Sequence, residues 1–209
     1  MSGLRERQKA DREQRILNAA ADLFREAGFD GAKIEAIAER ASVSAGTIYN
    51  YYENKGDLLV AIVALEVNEV LAAGERLIKG RQPSALRAVE RLFAIYLEHS
   101  LVYLSKEMWR AAMATSTQQP TSRFGLIYSD LDRQLAEQVC QLIDRLWRTS
   151  ALHPDTDVKA TGELLFNSMN MMFVAFVKDD EMTVADLMKK IMRQSAVVLM
   201  PLDLDASRR

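Results

Sequence analysis

Apolar residues recur every three to four positions along nearly the whole chain of 209 residues. This spacing is typical of α-helices that bury one face, whereas no segment alternates with the two-residue period of a β-strand. Glycine, proline and short polar clusters divide the pattern into about nine segments. The sequence therefore predicts an all-α protein, with a small N-terminal domain over residues 1–56 and a larger helical domain over residues 57–209.

Turn residues predict where individual helices begin and end. Gly28 is a C-terminal stop for a first helix over residues 10–27, and Asp57 is the expected N-cap of the fourth helix. Ser84 is expected to open a fifth helix, whose apolar stripe extends to Leu104. The later helices are predicted around 108–113 and over about 124–150, 156–178 and 183–199.

Residues 33–55 predict two short helices joined by a tight turn. The segment Ser42-Val43-Ser44 interrupts the apolar stripe of the first helix, and the Ser44 hydroxyl is placed to cap the second helix, about residues 45–51. That second helix carries small or hydrogen-bonding groups on its outer face. Two such helices form a helix-turn-helix, whose second helix enters the major groove of DNA. The apolar stripe of the first helix consists of Ile34, Ile37, Ala38 and Ala41.

The region over about residues 10–60 resembles the DNA-binding headpiece of the TetR family of bacterial transcriptional regulators. The resemblance implies a three-helix headpiece in which the second motif helix enters the groove and an aromatic pair and a lysine hold phosphates. It also implies that the remaining helices bind a small effector and form a dimer. The matching residues, in order and without a gap, are Ala19, Ala20, Leu23, Phe24, Gly28, Phe29, Ile37, Ala38, Ala41, Val43, Ser44, Gly46, Thr47, Tyr49, Tyr51, Tyr52, Lys55 and Leu58.

Nine residues of the motif are candidates for contact with DNA. Small residues permit close approach, while hydroxyl, amide and ammonium groups can bind a base edge or a phosphate. A purely structural role in the headpiece is the alternative for the tyrosines and the small residues of this set. Tyr52 and Ile48 are expected to face the headpiece core instead. The candidates are Lys33, Ser44, Ala45, Gly46, Thr47, Tyr49, Asn50, Tyr51 and Lys55.

Two positions depart from the family pattern. Ser42 stands where such regulators usually carry glycine, and a positive φ there would cost a non-glycine residue roughly 1 to 2 kcal/mol. Ala32-Lys33 stands where a threonine usually opens the first motif helix, so a hydroxyl contact to phosphate is missing. Lys33 is a candidate to replace that contact with a charge.

The charge of the headpiece is not basic, because residues 1–60 contain one more acidic than basic residue. DNA-binding domains are usually basic. The N-terminal end nevertheless gathers five basic residues, which either form a flexible arm along phosphates or belong to a solvated helix start. These residues are Arg5, Arg7, Lys9, Arg12 and Arg15.

The C-terminal domain contains large aromatic, thioether and amide groups on the helices that surround the effector in the family. Methionine suits a cavity that accepts more than one apolar shape. A plain core role is the alternative for each residue, and the apolar character of the set favours a hydrophobic or aromatic effector. The candidates are Tyr96, Tyr103, Met108, Trp109, Met113, Phe124, Tyr128, Phe166, Asn170 and Phe173.

Segment 164–177 is apolar on nearly every face, so the eighth helix needs a partner on all sides. The ninth helix supplies another apolar stripe, and we expect these two helices to form a homodimer interface of four helices. The tail over residues 201–209 is expected to be frayed. No apolar run is long enough to span a bilayer, which predicts a soluble, cytoplasmic protein with no membrane partner.

Catalytic motifs are absent from the sequence, and Cys140, His99 and His153 are its only cysteine and histidines. We therefore expect no enzyme, no metal site and no cofactor. The leading interpretation is a ligand-responsive repressor that binds a palindromic DNA operator as a dimer. One alternative is a DNA-binding dimer without an effector, either architectural or controlled by a protein partner. A further alternative is a carrier or enzyme with a vestigial headpiece.

Overall fold

The computed structural model describes residues 2–82, 84–149 and 151–202. Within these ranges the chain forms nine α-helices and one short 3-10 helix and no strand, which confirms the all-α prediction. The helices are α1 Ser2–Gly31, α2 Ile34–Arg40, α3 Ala45–Tyr49, α4 Lys55–Lys79, α5 Ala85–His99, α6 Lys106–Gln118, α7 Arg123–Arg148, α8 Val158–Lys178 and α9 Val184–Leu199, followed by a 3-10 turn over Met200–Leu202.

Helix α1 begins at Ser2, so the predicted start at residue 10 is wrong. The basic N-terminal residues therefore belong to a helix rather than to a flexible arm. Gly28 has φ +74° and ψ 161°, a non-helical conformation that is readily available only to glycine, and it interrupts α1 where a stop was predicted.

Asn54 caps α4, which corrects the role predicted for Asp57. The Asn54 Oδ1 accepts the Asp57 N–H at 3.1 Å, while the Asp57 carboxylate accepts the Glu53 N–H at 2.9 Å. Asp57 is thus the third residue of the helix, and its carboxylate points back at the residue before the cap. This reciprocal arrangement satisfies the Asp57 N–H, which is one of the donors that the first turn of a helix leaves unpaired, and also the N–H of Glu53 just before the cap.

Serine caps elsewhere match the predictions. The hydroxyls of Ser44 and Ser84 accept backbone N–H groups three residues on, at the starts of α3 and α5. Helix α5 ends at His99, before the end of the predicted apolar stripe. The predicted end of the seventh helix at Ser150 and the tail over 203–209 lie outside the described residues.

The described residues fall into two compact units. Unit 1 comprises Met1–Glu66 and Leu101–Ser129, and unit 2 comprises Val67–Ser100 and Asp130–Arg209, in both cases within the described ranges. Helices α4 and α7 each contribute their first part to unit 1 and their remainder to unit 2. No helix in the described part of the chain is long and apolar enough to cross a membrane.

In unit 1, helix α1 packs against α2 and α6, and α2 packs against α3. Fully buried apolar side chains from each of these helices and from the start of α4 form the core, and they include Ile16, Phe24, Ile37, Ile48, Leu58 and Met108. In unit 2, helix α9 packs against both α5 and α8. The buried side chains there include Leu92, Phe93, Leu142, Phe176, Leu187 and Ile191.

Candidate nucleic-acid interface

The turn between α2 and α3 has a left-handed residue at its centre. Ser42 has φ +55° and is the only non-glycine residue with a positive φ in the described part of the chain. Its N–H donates to the Glu39 carbonyl at 3.0 Å, and the next N–H, that of Val43, donates to the Ala38 carbonyl at 2.9 Å. These two bonds close the end of α2 and set the direction in which α3 begins.

Helix α3 is held on one side by Ile48, which is fully buried. At its start the Ser44 Oγ accepts the Thr47 N–H at 3.2 Å and lies 2.9 Å from the Thr47 hydroxyl. The opposite face is open to solvent, with Gly46, Asn50 and Tyr49 exposed, the last to 52%. Helix α3 thus has one buried face and one exposed polar face, which is the arrangement that contact with base edges requires.

The aromatic residues after α3 divide into a buried and a half-buried ring. Tyr52 is buried, as predicted, and its hydroxyl donates to Glu13 Oε1 at 3.2 Å. Burial raises the pKa of the Tyr52 phenol, and the neighbouring Glu13 carboxylate raises it further. The Tyr51 ring stacks on the Tyr52 ring, with 6.1 Å between the two centroids. The Lys9 ammonium lies 5.8 Å from the centroid of the Tyr51 ring. Tyr51 therefore contributes to packing and also presents a partly open edge beside α3.

The two candidate lysines have different surroundings. Lys33 precedes α2, is exposed, and makes no side-chain cap for that helix. Lys55 is half-buried, and its ammonium donates to the carbonyl oxygens of Phe29 at 3.0 Å and Asp30 at 2.8 Å. Since an ammonium has three N–H donors, these two bonds leave one donor of Lys55 for a further acceptor.

Sequence reasoning left the basic N-terminal residues undecided, and the helical start of α1 gives them defined faces. Lys9, Arg12 and the buried Ile16 share one face of the helix, because they are spaced by three and four residues. Arg7 lies on the opposite side. The guanidinium of Arg15 donates to the Ala41 carbonyl at 3.0 Å and so joins α1 to the end of α2. Lys9 and Arg12 thus form a basic stripe along one face of α1, and Lys9 lies beside the ring of Tyr51, which follows α3.

The candidate effector residues are distributed over both units. Tyr103, Met108, Trp109, Met113, Phe124 and Tyr128 belong to unit 1, and Tyr96, Phe166, Asn170 and Phe173 belong to unit 2. Within unit 1, the Phe124 and Tyr128 rings are nearly parallel at 6.3 Å, and the Met108 sulfur lies 3.5 Å from the Ser105 nitrogen. Within unit 2, Tyr96 donates to a buried glutamine, Gln138. Most of these side chains are buried, while Tyr103, Met113 and Asn170 are half-buried.

Comparison with known proteins gives consistent matches. Residues 16–62 match the family model described as bacterial regulatory proteins, tetR family. The chain is 28% identical over 155 residues to the HTH-type transcriptional repressor KstR of Rhodococcus jostii (strain RHA1). That alignment covers 74% of this chain and 65% of the repressor, so the chain spans slightly less than two thirds of that relative's length.

Two solved structures share the fold. A putative TetR-family transcriptional regulator from Mesorhizobium loti MAFF303099 has a TM-score of 0.71 at 18% identity, covering 93% of this chain and 98% of that one. FadR from Bacillus subtilis, solved in complex with stearoyl-CoA, has a TM-score of 0.66 at 18% identity, covering 89% and 97%. Residues 16–62 therefore belong to the TetR family of bacterial transcriptional regulators, and the chain shares the fold of a TetR-family regulator.

Proposed function

We propose that this protein is a ligand-responsive transcriptional repressor that binds a palindromic operator as a homodimer. The observation that carries the proposal is the exposed polar face of α3, held in place by buried Ile48 and by the Ser44 cap. In this proposal, residues 1–56 form the DNA-binding domain, and residues 57–209 bind the effector and form the dimer. Each subunit places one α3 into a major groove, about one helical turn from the other or somewhat further.

Residues on and around α3 have distinct proposed roles at the operator. Thr47 and Asn50 hydrogen-bond base edges, and Ala45 and Gly46 let the helix approach closely. Phosphates are held by Tyr49, Tyr51, Lys33, Ser44 and Lys55, together with the basic stripe of Lys9 and Arg12. Phosphate contacts position the protein, while base contacts determine which sequence it prefers.

The experiment that tests DNA binding is selection from random double-stranded DNA, followed by titration of the selected site at two salt concentrations. We expect an enriched palindrome, bound tightly by a dimer. Asn50→Ala is expected to change the preferred sequence, whereas Tyr49→Phe weakens binding to all sequences alike. No enrichment, or only weak binding lost in salt, would refute the proposal. Unchanged preference in Asn50→Ala and Thr47→Ala would show that the recognition face is placed wrongly.

Support for the dimer comes from exposed apolar side chains on the last two helices. Leu164 and Met171 of α8 and Val197 of α9 are all more than half exposed in the single chain. Leu164 and Met171 are seven residues apart and lie on one face of α8. A four-helix interface built from α8 and α9 of two subunits would bury these groups.

The effector proposed for this repressor is a hydrophobic compound, and a long-chain acyl thioester is the first probe because a structural neighbour was solved with stearoyl-CoA. Helix α4 connects the two activities, since its residues belong to both units. Effector and operator must weaken each other by the same factor. Operator titration with stearoyl-CoA, and with coenzyme A alone as the control, tests the class. Equal operator affinity with and without saturating stearoyl-CoA would exclude it as the effector.

A further inference from the structure

A buried hydrogen-bond network joins three helices of unit 2 through one glutamine. The Tyr96 hydroxyl of α5 donates to Gln138 Oε1 of α7 at 2.7 Å, and Gln138 Nε2 donates to the Leu71 carbonyl of α4 at 2.8 Å. Gln138 is only 5% exposed, and Tyr96 is also buried. Burial raises the pKa of the Tyr96 phenol, which keeps it a proton donor. Since buried polar groups require partners, the tyrosine hydroxyl and the amide each depend on this arrangement.

Gly74 allows the glutamine to approach the backbone of α4. A Cβ at this position would lie 2.0 Å from Gln138 Oε1 and 2.9 Å from Leu92 Cδ1. Glycine weakens the interior of a helix relative to alanine, so its presence here requires a local reason. The reason is the amide of Gln138, which occupies the space that a side chain would take.

The network constrains α4 more strictly than apolar packing would. An amide that accepts from one helix and donates to the carbonyl of another fixes both their separation and their rotation, because hydrogen bonds are directional. Leu71 lies in the second half of α4, and the same helix continues without interruption back to Lys55 at its start in unit 1. A shift in the position of Leu71 therefore affects a helix whose first part belongs to unit 1.

We propose that Gln138 is a positioning residue that sets the operator-binding state of the protein by holding the second half of α4 against α5 and α7. This inference rests on the proposed function, because it concerns regulation of the same DNA-binding site. Loss of the network releases α4, and the equilibrium between operator-binding and non-binding conformations shifts. Couplings of this kind change affinity by about twofold to thirtyfold.

The first test compares three variants by hydrogen exchange of the α4 amides and by operator titration without any added ligand. Gln138→Met keeps the length of the side chain and removes both bonds, while Tyr96→Phe removes only one. Gln141→Met is the matched control, because Gln141 is an exposed glutamine on the same helix. We expect exchange in residues 68–78 to become about tenfold faster in Gln138→Met. Operator affinity should change by about threefold or more, with a smaller effect in Tyr96→Phe and none in the control.

A rescue experiment separates positioning from general destabilisation. Gly74→Ala is expected to speed exchange in α4 and to change operator affinity, because its Cβ collides with Gln138. In a Gln138→Ala background the collision with the amide is absent and only the approach of 2.9 Å to Leu92 Cδ1 remains, so the same substitution should have a smaller effect. Equal effects of Gly74→Ala in both backgrounds would show that the collision with Gln138 is not what matters.

The outcomes distinguish this inference from the proposed function. Faster hydrogen exchange in Gln138→Met with unchanged operator affinity overturns the regulatory role of Gln138. Unchanged hydrogen exchange overturns the claim that Gln138 holds the second half of α4. If the unmodified protein binds no selected DNA, the proposed function fails and the regulatory role fails with it. The exchange experiment still decides in that case whether Gln138 holds α4, since it requires no DNA.

Discussion

The Lys55 ammonium donates to the Asp30 carbonyl at 2.8 Å, so the first residue of α4 is tied to the last turn of α1. A second bond to the Phe29 carbonyl makes this a two-point attachment. Hydrogen bonds from a charged donor are stronger than neutral ones. Lys55 therefore has a structural role that its proposed phosphate contact does not exclude.

Lys55→Met is predicted to lower the free energy of unfolding by about 1 kcal/mol, because both bonds are lost at a half-buried site. Operator affinity should fall as well. Lys33→Met is the control, since Lys33 is exposed, and it should lower operator affinity without changing stability. Urea denaturation and operator titration of both variants provide the measurement. Unchanged stability in Lys55→Met would mean that the two carbonyl contacts do not hold α4 in solution.

Ser42→Gly is predicted to stabilise the protein by about 0.5 to 1 kcal/mol. The left-handed φ of Ser42 costs an L-residue about 1 to 2 kcal/mol, and the greater freedom of glycine in the unfolded chain offsets part of the gain. Ser42→Ala keeps the Cβ atom and should give no gain. Ser44→Ala should instead lose about 1 kcal/mol, because it removes the cap of α3. Chemical denaturation of the three variants gives these values. Equal stability of Ser42→Gly and Ser42→Ala would show that the positive φ at position 42 does not strain the backbone.

Sequence reasoning succeeded where the signal is local. The caps at Ser44 and Ser84 and the stop at Gly28 follow from residue chemistry within a few positions. The positive φ at Ser42 was raised only as a condition, because the TetR family usually carries glycine at that position, and the structure has it. The start of α1 was missed because hydrophobic periodicity detects only helix faces that are buried. Residues 2–9 contain almost no apolar side chains, but arginine, glutamate, glutamine and lysine are all good helix formers.

Contacts between distant segments could not be predicted from spacing. Nothing local indicates that the Lys55 ammonium meets carbonyls 25 residues earlier. Gln138 did leave a signal, since it lies seven residues after Leu131 and four before Leu142 on the apolar face of α7. A lone amide on such a face, together with a glycine inside a predicted helix at Gly74, indicates a buried polar contact. Which residues would meet there depends on the tertiary packing of three helices.

Arg12→Gln is predicted to lower the salt dependence of operator binding by about 0.9 in the slope of log K against log salt, because one phosphate contact is lost. Arg12 shares its face of α1 with Lys9, whose ammonium lies 5.8 Å from the Tyr51 ring centroid. Arg7→Gln removes the same charge from the other side of the helix and should leave the slope unchanged. Operator titrations over a range of salt concentrations measure both slopes. Equal slope changes in the two variants would indicate a general charge effect rather than a defined phosphate contact.

Met171→Glu is predicted to dissociate the proposed dimer and to raise its dissociation constant by about tenfold or more. The reason is that the interface would bury an unpaired charge, which costs at least the roughly 1.4 kcal/mol that a tenfold change represents. Met171 is 63% exposed on α8, and Val197→Glu on α9, where the side chain is 75% exposed, should act in the same way. Leu126→Glu is the control, because Leu126 is 60% exposed but belongs to unit 1. Sedimentation velocity over a range of concentrations measures the equilibrium. Dissociation by Leu126→Glu alone would place the interface elsewhere.

Asp132→Asn is predicted to stabilise the protein at about pH 7.5 and to have no effect below about pH 4. Burial raises the pKa of the Asp132 carboxyl to about 6, from an ordinary value of 3.8. A raised folded-state pKa means that the folded protein holds the proton more tightly than the unfolded chain, so stability is lost as pH rises through 6. About two pKa units correspond to about 3 kcal/mol at most, and asparagine, which cannot ionise, removes this loss.

Urea denaturation of wild type and Asp132→Asn between about pH 4 and pH 7.5 measures the effect, which should grow with pH. Asp130→Asn is the matched control on the same helix. The Asp130 carboxylate is exposed and accepts hydrogen bonds from Arg133 and Gln134, which hold its pKa below the ordinary value. Replacing Asp130 should therefore give no gain at pH 7.5. A difference between wild type and Asp132→Asn that stays constant with pH would show that Asp132 is not titrating in this range.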